Sequence, residues 1–219
     1  MLHNPASRRA VFLDRDGTIT RDRGFTHRTS DLELLPGAVA GLAQIAQQGF
    51  RLFVVTNQSG VARGYFSEAD VQAFHDTLAE RLRVQGVTIE GFYFCPFHPT
   101  EGRGVYRQES SLRKPADGML RRCAIEHGLD LSQCITIGDR KTDIAAGQAA
   151  GCRTILVKTG MAGGDNHPLA APPDFVADDL LAAACWMETA IPLLEPLRLN
   201  TAQSVSHPQA RPLAARQPL

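Results

Sequence analysis

The sequence predicts an α/β protein: an open, Rossmann-like parallel sheet with helices on both faces and no large cap domain. Short apolar runs alternate with longer stretches of helical periodicity, which is the pattern of parallel strands joined by crossover helices. The 219 residues suffice for one well-buried core, so a single domain over 1–191 followed by a tail over 192–219 is expected. No insertion long enough to fold separately interrupts the alternation, which leaves no segment for a capping unit.

The elements follow in order. A first strand at 10–13 (AVFL) runs into LDRDGT, and a helix fills 37–48. The second strand, 51–56, leads into VVTNQSG; the next helix, 67–85, opens with Ser67 and, three residues on, Asp70, which is an N-cap pairing. After a strand at 91–95 comes the stretch 96–113, a long connection rich in Gly, Pro and polar residues. Long loops in compact domains are often functional, so this one is expected to be a substrate-facing flap. Helix 116–126, strand 134–137, helix 141–150 and strands 154–157 and 175–176 complete the sheet. In the last helix, 179–189, Leu180, Leu181, Trp186 and Met187 fall at helical spacing and are expected to pack against the sheet. From Pro192 onward too few apolar residues remain to offset the entropy of ordering, so that tail is expected to be disordered.

Composition narrows the partners. Lys plus Arg and Asp plus Glu both total 23, so no overall field steers the protein to nucleic acid or an anionic membrane, and neither is an expected partner. Anion binding must be local. No run reaches transmembrane length, and the N-terminus lacks the apolar region and cleavage site of a secretory signal. A cytoplasmic monomer is the expectation. Cys95, Cys123, Cys134, Cys152 and Cys185 are odd in number and unpaired in spacing, and read mostly as buried thiols in a reducing compartment. His27, His75, His127 and His167 show no metal-binding spacing and are assigned no role.

The chemistry-bearing residues stand at strand ends. Asp14 and Asp16 follow the first strand, with Gly17 allowing a sharp turn. Two carboxylates on one side of a strand repel each other unless a proton or a hard cation intervenes. Alone, the pattern is equally an ordinary strand-to-loop turn. Thr56, Asn57, Gln58 and Ser59 follow the second strand and offer hydroxyl, amide and backbone donors to a phosphate. Arg113 and Lys114 precede Pro115 at a predicted helix start, where dipole and ammonium both favour an anion, although such pairs are often merely solvated. The fourth strand ends in GDRKTD, bringing Asp139 and, one helical turn on, Asp143 to the same edge. Alone, Asp139 could be a helix cap. Four such motifs in succession supply acid, hydroxyl, base and acid at the edge where open α/β sheets bind ligands.

In that combination and order, LDRDGT, VVTNQS, the lysine of RKP and GDRKTD resemble the four motifs of the haloacid dehalogenase superfamily of phosphotransferases, over roughly Val11 to Gly160. The resemblance implies a magnesium-dependent phosphomonoester hydrolase. Asp14 would be the nucleophile that forms an aspartyl phosphate, and Asp16 the general acid and then base. Thr56 and Lys114 would hold the phosphoryl oxygens, while the Asp14 carboxylate, the Asp16 backbone carbonyl and Asp139 would hold Mg2+. Asp143 would orient a ligand or Lys114.

Within the superfamily, RDRGFTH, TNQSGVARGYF, FYFCPFHP and RKPADGM are similar to the branch of heptose-bisphosphate and histidinol-phosphate phosphatases. That likeness implies a small phosphorylated sugar as partner, with heptose 1,7-bisphosphate ahead of histidinol phosphate. A catalytically silent phospho-ligand binder is the distant alternative, but none of the acids nor the lysine is missing. Asp22, Arg23, Gly24 and Phe25 would line the substrate pocket, and Arg113 would recognise a second phosphate or hydroxyls. The sequence departs from the branch in its zinc loop. Phe97, Ser110 and Leu112 stand where three ligands would be, and Cys95 with His98 alone cannot complete a tetrahedral site, so no structural zinc is expected. Cys95 reads as a buried thiol without an activating base.

Overall fold

The computed structural model describes residues 7–191, so the expected tail over 192–219 lies outside the described residues. Its sheet contains β1 (Ala10–Leu13), β2 (Arg51–Asn57), β3 (Gly91–Cys95), β4 (Ile135–Gly138), β5 (Arg153–Val157) and β6 (Phe175–Ala177). The order is β3-β2-β1-β4-β5-β6, and every neighbouring pair is parallel. The chain therefore winds outward from β1 to β3, returns to place β4 beside β1, and winds the other way. Between β1 and β4 lies the topological switch point, where a crevice opens at the strands' carboxyl ends.

Alternation within each strand divides the core in two. Val11 and Leu13 of β1 join Leu52, Val54, Ile135 and Ile137 on one face, against α1 (Ala38–Gln47), α3 (Glu68–Val84) and α6 (Leu180–Ala190). Ala10 and Phe12 join Phe53 and Val55 on the other, against α4 (Gly118–His127) and α5 (Lys141–Ala150). Strands covered on both faces can be apolar throughout, and all four residues of β1 are buried. Cys95, Cys123, Cys134 and Cys152 are buried in this core and Cys185 is exposed.

Most elements fall within two residues of their predicted bounds. The fourth strand starts at Ile135 rather than 134 because Cys134 closes the short turn Leu131–Gln133. The fourth helix starts at Gly118 rather than 116 because Ala116 and Gly118 donate back to Arg113 and Ser111 in a turn. A short helix, α2 (Ser59–Arg63), was not expected; Gly64 in a left-handed conformation ends it. In α6, Leu180 and Met187 are buried and Trp186 stacks on Phe175 at 4.8 Å, but Leu181 faces solvent, 37 % exposed, one position past the inward stripe. No helix among the described residues is long and apolar enough to cross a membrane.

Candidate active site

β1 and β4 end side by side, so the residues just beyond them meet. Asp14 donates its backbone N–H to Ile137 at 2.9 Å, which fixes its carboxylate over the crevice. Asp14, Asp139 and Asp143 are buried, and one ligand atom from each lies within 4.8 Å of the others. Asp143 is in the first turn of α5, where it accepts from the Arg140 backbone N–H at 3.0 Å.

Lys114 comes from the far side, at the end of the flap. Its Nζ donates to Asp14 Oδ1 at 2.7 Å and to the Val55 carbonyl at 2.7 Å, and pairs with Asp143 Oδ1 at 2.6 Å. An ammonium has three donors, and all three are used. Asn57 steers this lysine: its side-chain amide donates to the Lys114 carbonyl at 3.0 Å and accepts from the Lys114 N–H at 3.1 Å. Burial alone would lower the Lys114 pKa, but Asp14 and Asp143 more than offset it and hold the ammonium above its ordinary value.

Three carboxylates face one ammonium at this floor. Burial, then Asp14 and Asp143, push Asp139 up to about 7; burial and Asp14 push Asp143 up to about 6 even beside Lys114. Such shifts mark a site short of positive charge. The pocket is also shaped for Asp139. Gly17, at φ 85°, would bring a Cβ 2.5 Å from Asp139 Oδ2, and a Cβ on Gly160 would collide with the same oxygen. Met161 N–H and Thr18 Oγ1 hold the carboxylate at 2.7 and 3.5 Å. A close all-oxygen donor set with excess negative charge fits a hard divalent cation.

Asp16 sits higher, its side chain 18 % exposed. Oδ1 accepts from Arg15 Nε at 3.0 Å and faces Thr20 Oγ1 at 3.3 Å; Oδ2 accepts from Arg15 Nη2 at 2.7 Å and Gln58 Nε2 at 3.0 Å. Burial raises its pKa despite Arg15 and Gln58. Gln58 also donates to Thr56 Oγ1 at 3.0 Å, aligning the hydroxyl that ends β2.

Above the floor is a cleft of about 410 Å³. Of the residues singled out in the sequence, Asp14, Asp16, Asp22, Gly24, Phe25, Thr56, Asn57, Gln58, Ser59, Arg113 and Lys114 all line it. Two expected residues do not. Asp139 lies below, fully buried, and Arg23 turns outward to pair with Glu33 at 2.6 Å. Sequence reasoning missed Arg63, Arg140, Thr142 and Asp165 at the rim. Arg63 and Arg140 lay inside quoted motifs, TNQSGVARGYF and GDRKTD, so a signal existed; Asp165 reaches the cleft only through the fold, by accepting from the first N–H groups of α5.

Contacts within the protein hold the flap. Phe97 packs on Tyr106 at 6.0 Å, and His98 N–H donates to the Tyr106 carbonyl at 3.1 Å. Arg103 N–H reaches the Ala62 carbonyl at 2.8 Å, Tyr106 Oη donates to Glu68 at 2.8 Å, and Arg113 Nη1 donates to the Phe97 carbonyl at 3.2 Å. Leu112, in place of a ligand, joins the apolar cluster with Tyr93 and Phe97. Cys95 is fully buried, and burial pushes its thiol pKa up.

The sequence profile of the HAD-hydrolase-like family matches residues 111–183. A D-glycero-D-manno-heptose-1,7-bisphosphate 7-phosphatase of Thermosynechococcus vestitus is 40 % identical over 83 % of this chain and 96 % of its own length. The chain belongs to the haloacid dehalogenase-like phosphatases. Its relatives include the D-glycero-beta-D-manno-heptose-1,7-bisphosphate 7-phosphatase of Haemophilus ducreyi, 41 % identical over 71 % of this chain and 86 % of that protein. A solved structure of D,D-heptose 1,7-bisphosphate phosphatase from B. bronchiseptica, complexed with magnesium and phosphate, superposes with TM-score 0.73 at 30 % identity, covering 83 % of this chain and 99 % of that one. This haloacid dehalogenase-like chain is therefore a phosphoric monoester hydrolase.

Proposed function

We propose that this phosphatase removes the 7-phosphate of D-glycero-D-manno-heptose 1,7-bisphosphate. The observation that carries the catalytic part is the Lys114 ammonium, held between Asp14 and Asp143 beside Asp139 at the sheet's switch point. Two observations support the substrate. Relatives of that name match over most of their length. Of the rim guanidiniums, Arg63 and Arg140 pair with Glu101 and Asp22, whereas Arg113 has no ion pair among the described residues and contacts only a carbonyl. A half-buried guanidinium without an ion pair among the described residues suits a second phosphate or sugar hydroxyls.

An Asp14 oxygen attacks phosphorus in line as the bond to the sugar oxygen breaks, giving an aspartyl phosphate. Asp16 protonates the departing oxygen. Water then attacks the phosphorus, gives its proton to Asp16, and the bond to Asp14 breaks. Thr20 lets Asp16 serve in both states: its hydroxyl reaches both Asp16 Oδ1 and the Arg15 carbonyl at 3.3 Å. Turned to the carbonyl, it accepts from a protonated Asp16; turned back, it donates to the carboxylate. Thr56 and Lys114 hold the phosphoryl oxygens, and Lys114 stabilises the charge that spreads over them. Asp14, the Asp16 carbonyl and Asp139 would hold Mg2+, which when bound offsets the floor's negative charge against the incoming phosphate. Asp22, Gly24 and Phe25 shape the sugar end of the cleft.

A panel of phosphorylated metabolites, run with magnesium and with chelator, tests this reading. Heptose bisphosphate should give the highest kcat/KM, chelator should abolish turnover, and Asp14→Asn should be folded and inactive. Preference for histidinol phosphate would move the assignment to that substrate; an active Asp14→Asn enzyme would refute covalent catalysis by Asp14. The reading includes a cytoplasmic monomer, so sedimentation should give the mass of one chain.

A further inference from the structure

Arg15 is the bulkiest wholly buried side chain among the described residues, and the reaction outlined above gives it no task. Burying a guanidinium beside an acid is costly unless its donors are met. Here they are met in a particular way. Nε and Nη2 grip both Asp16 oxygens at 3.0 and 2.7 Å, and Nη2 also donates to the Thr26 carbonyl at 2.7 Å. The guanidinium lies over the Phe74 ring at 4.3 Å, and Nη1 faces His75 Nε2 at 3.3 Å.

The His75 contact fixes a tautomer. Arginine only donates, so Nε2 accepts and the imidazole proton is on Nδ1; that atom has no partner among the described residues. The ring is fully buried, stacked on Phe92 at 4.7 Å with Phe94 edge-on at 5.9 Å. A histidine left with one unsatisfied nitrogen so that the other can accept from Arg15 is a costly way to fill a core, and it locks the guanidinium plane. Through Thr26 the same guanidinium anchors the loop over 22–26, whose Phe25 carries a positive φ of 58° and lines the cleft.

We infer that Arg15, backed by His75, is a positioning residue for phosphoryl transfer: its two-pronged grip sets where the Asp16 carboxyl points and ties that acid to the 22–26 loop. The inference rests on the reading of Asp16 as the acid that protonates the leaving oxygen. Positioning of a general acid matters for a sugar alkoxide, which cannot leave without a proton, and little for p-nitrophenolate, which can. Because kcat/KM in a two-step hydrolysis reports only events through departure of the leaving group, it isolates this dependence.

The test compares kcat/KM on heptose bisphosphate and on p-nitrophenyl phosphate for wild type, Asp16→Asn, Arg15→Lys, His75→Phe and His75→Gln. In Arg15→Lys, which keeps the charge but not the fork, kcat/KM should fall about 100-fold on the sugar and no more than about threefold on the aryl phosphate. His75→Phe should show the same selective loss to a smaller degree, and His75→Gln, whose amide oxygen can accept from Arg15, should recover part of it. Equal losses on both substrates, or no loss on either, would overturn the positioning role. Should Arg15→Lys fail to fold, the two His75 variants decide alone, with phenyl phosphate added as a poor leaving group that makes no sugar contact: lost positioning should lower it as it lowers the sugar, whereas a merely structural histidine or a displaced 22–26 loop would leave it at the p-nitrophenyl phosphate level and overturn the role. A non-selective loss in Asp16→Asn would instead remove the acid role itself; a selective loss there with a uniform loss in Arg15→Lys would overturn positioning alone.

Discussion

Replacing Lys114 with methionine keeps the unbranched four-atom stem of the side chain and removes the one ammonium at the floor. Three short bonds vanish, to Asp14, Asp143 and the Val55 carbonyl. Removing one partner of a buried ion pair costs about 3–5 kcal/mol, and the cost should depend on pH in a defined direction. In the wild type Asp139 and Asp143 already stand at about 7 and about 6, above their unfolded values near 4. Without Lys114, Asp143 loses the neighbour that lowers it and rises further. An acid whose folded pKa is raised binds more protons folded than unfolded, so the native state loses stability as pH climbs from about 4, by up to about 1.4 kcal/mol per pH unit for each proton. Lys114→Met should therefore be only mildly destabilised at pH 5 and carry most of its penalty at pH 8. Urea unfolding at the two pH values, in chelator, measures this; added magnesium should restore more stability to the variant than to wild type. Turnover should fall by about 10³-fold or more, as when a positioned donor to the developing charge is lost. An equal penalty at both pH values, or turnover within tenfold of wild type, would refute the charge accounting.

Gly160→Ala should collide with the Asp139 carboxylate and raise the half-saturating magnesium concentration by about tenfold, read from activity against added magnesium; an unchanged titration would show that the wall is soft. Phe97→Ala should loosen the flap and raise KM more than it lowers kcat, while a zinc-selective chelator should leave the wild-type melting temperature unchanged; a fall in that temperature would mean a soft-metal site. Burial and the facing Arg15 lower His75 to about 3, so the native state resists its protonation and stability falls as pH drops below about 6.5. Relative to His75→Gln, wild type should lose roughly 3 kcal/mol between pH 6.5 and 4, measured by urea unfolding; parallel curves would show that His75 does not carry this cost.

The fold was legible because its strands are covered on both faces: runs such as AVFL and RLFVVT are apolar on successive positions, and only crossover helices on two sides hide such strands. The floor was legible for a related reason. Asp14, Asp16, Thr56 and Asp139 stand at or just past the carboxyl end of a strand, so local geometry delivers them to one edge; Lys114 marked itself as a base beside them in the motif order but is brought in by the flap. What the sequence left hidden depends on long-range packing. Asp165 caps α5 across 24 residues, and Arg15 meets His75 across 60; no local period joins either pair. Arg23 was misplaced because a charged residue in a pocket-facing motif looks like a ligand contact until Glu33 is seen 2.6 Å away. Leu181 was misplaced because it stands at the margin of the apolar stripe of α6, and spacing alone does not say which residue at that margin turns out.

The chain has no net charge, yet its site separates charge sharply. The floor carries three carboxylates against one lysine, and the rim carries Arg63, Arg113 and Arg140 against Asp22 and Asp165, which leaves the rim net positive. A phosphate arriving between them faces repulsion below and attraction above, which in isolation would hold it at the rim, away from Asp14. A divalent cation at the floor reverses that gradient, so the transferred phosphate has reason to descend only when the cation is present, while a second phosphate keeps its reason to stay at the rim. Two of the three rim arginines rest on partly exposed carboxylates, Glu101 and Asp22, in pairs of the kind that are worth at most about 1 kcal/mol and are readily exchanged for a phosphate. If Mg2+ binds at that floor, the placement of the charges would favour cation before bisphosphate, and initial rates that rule out that order would refute this reading of the charges.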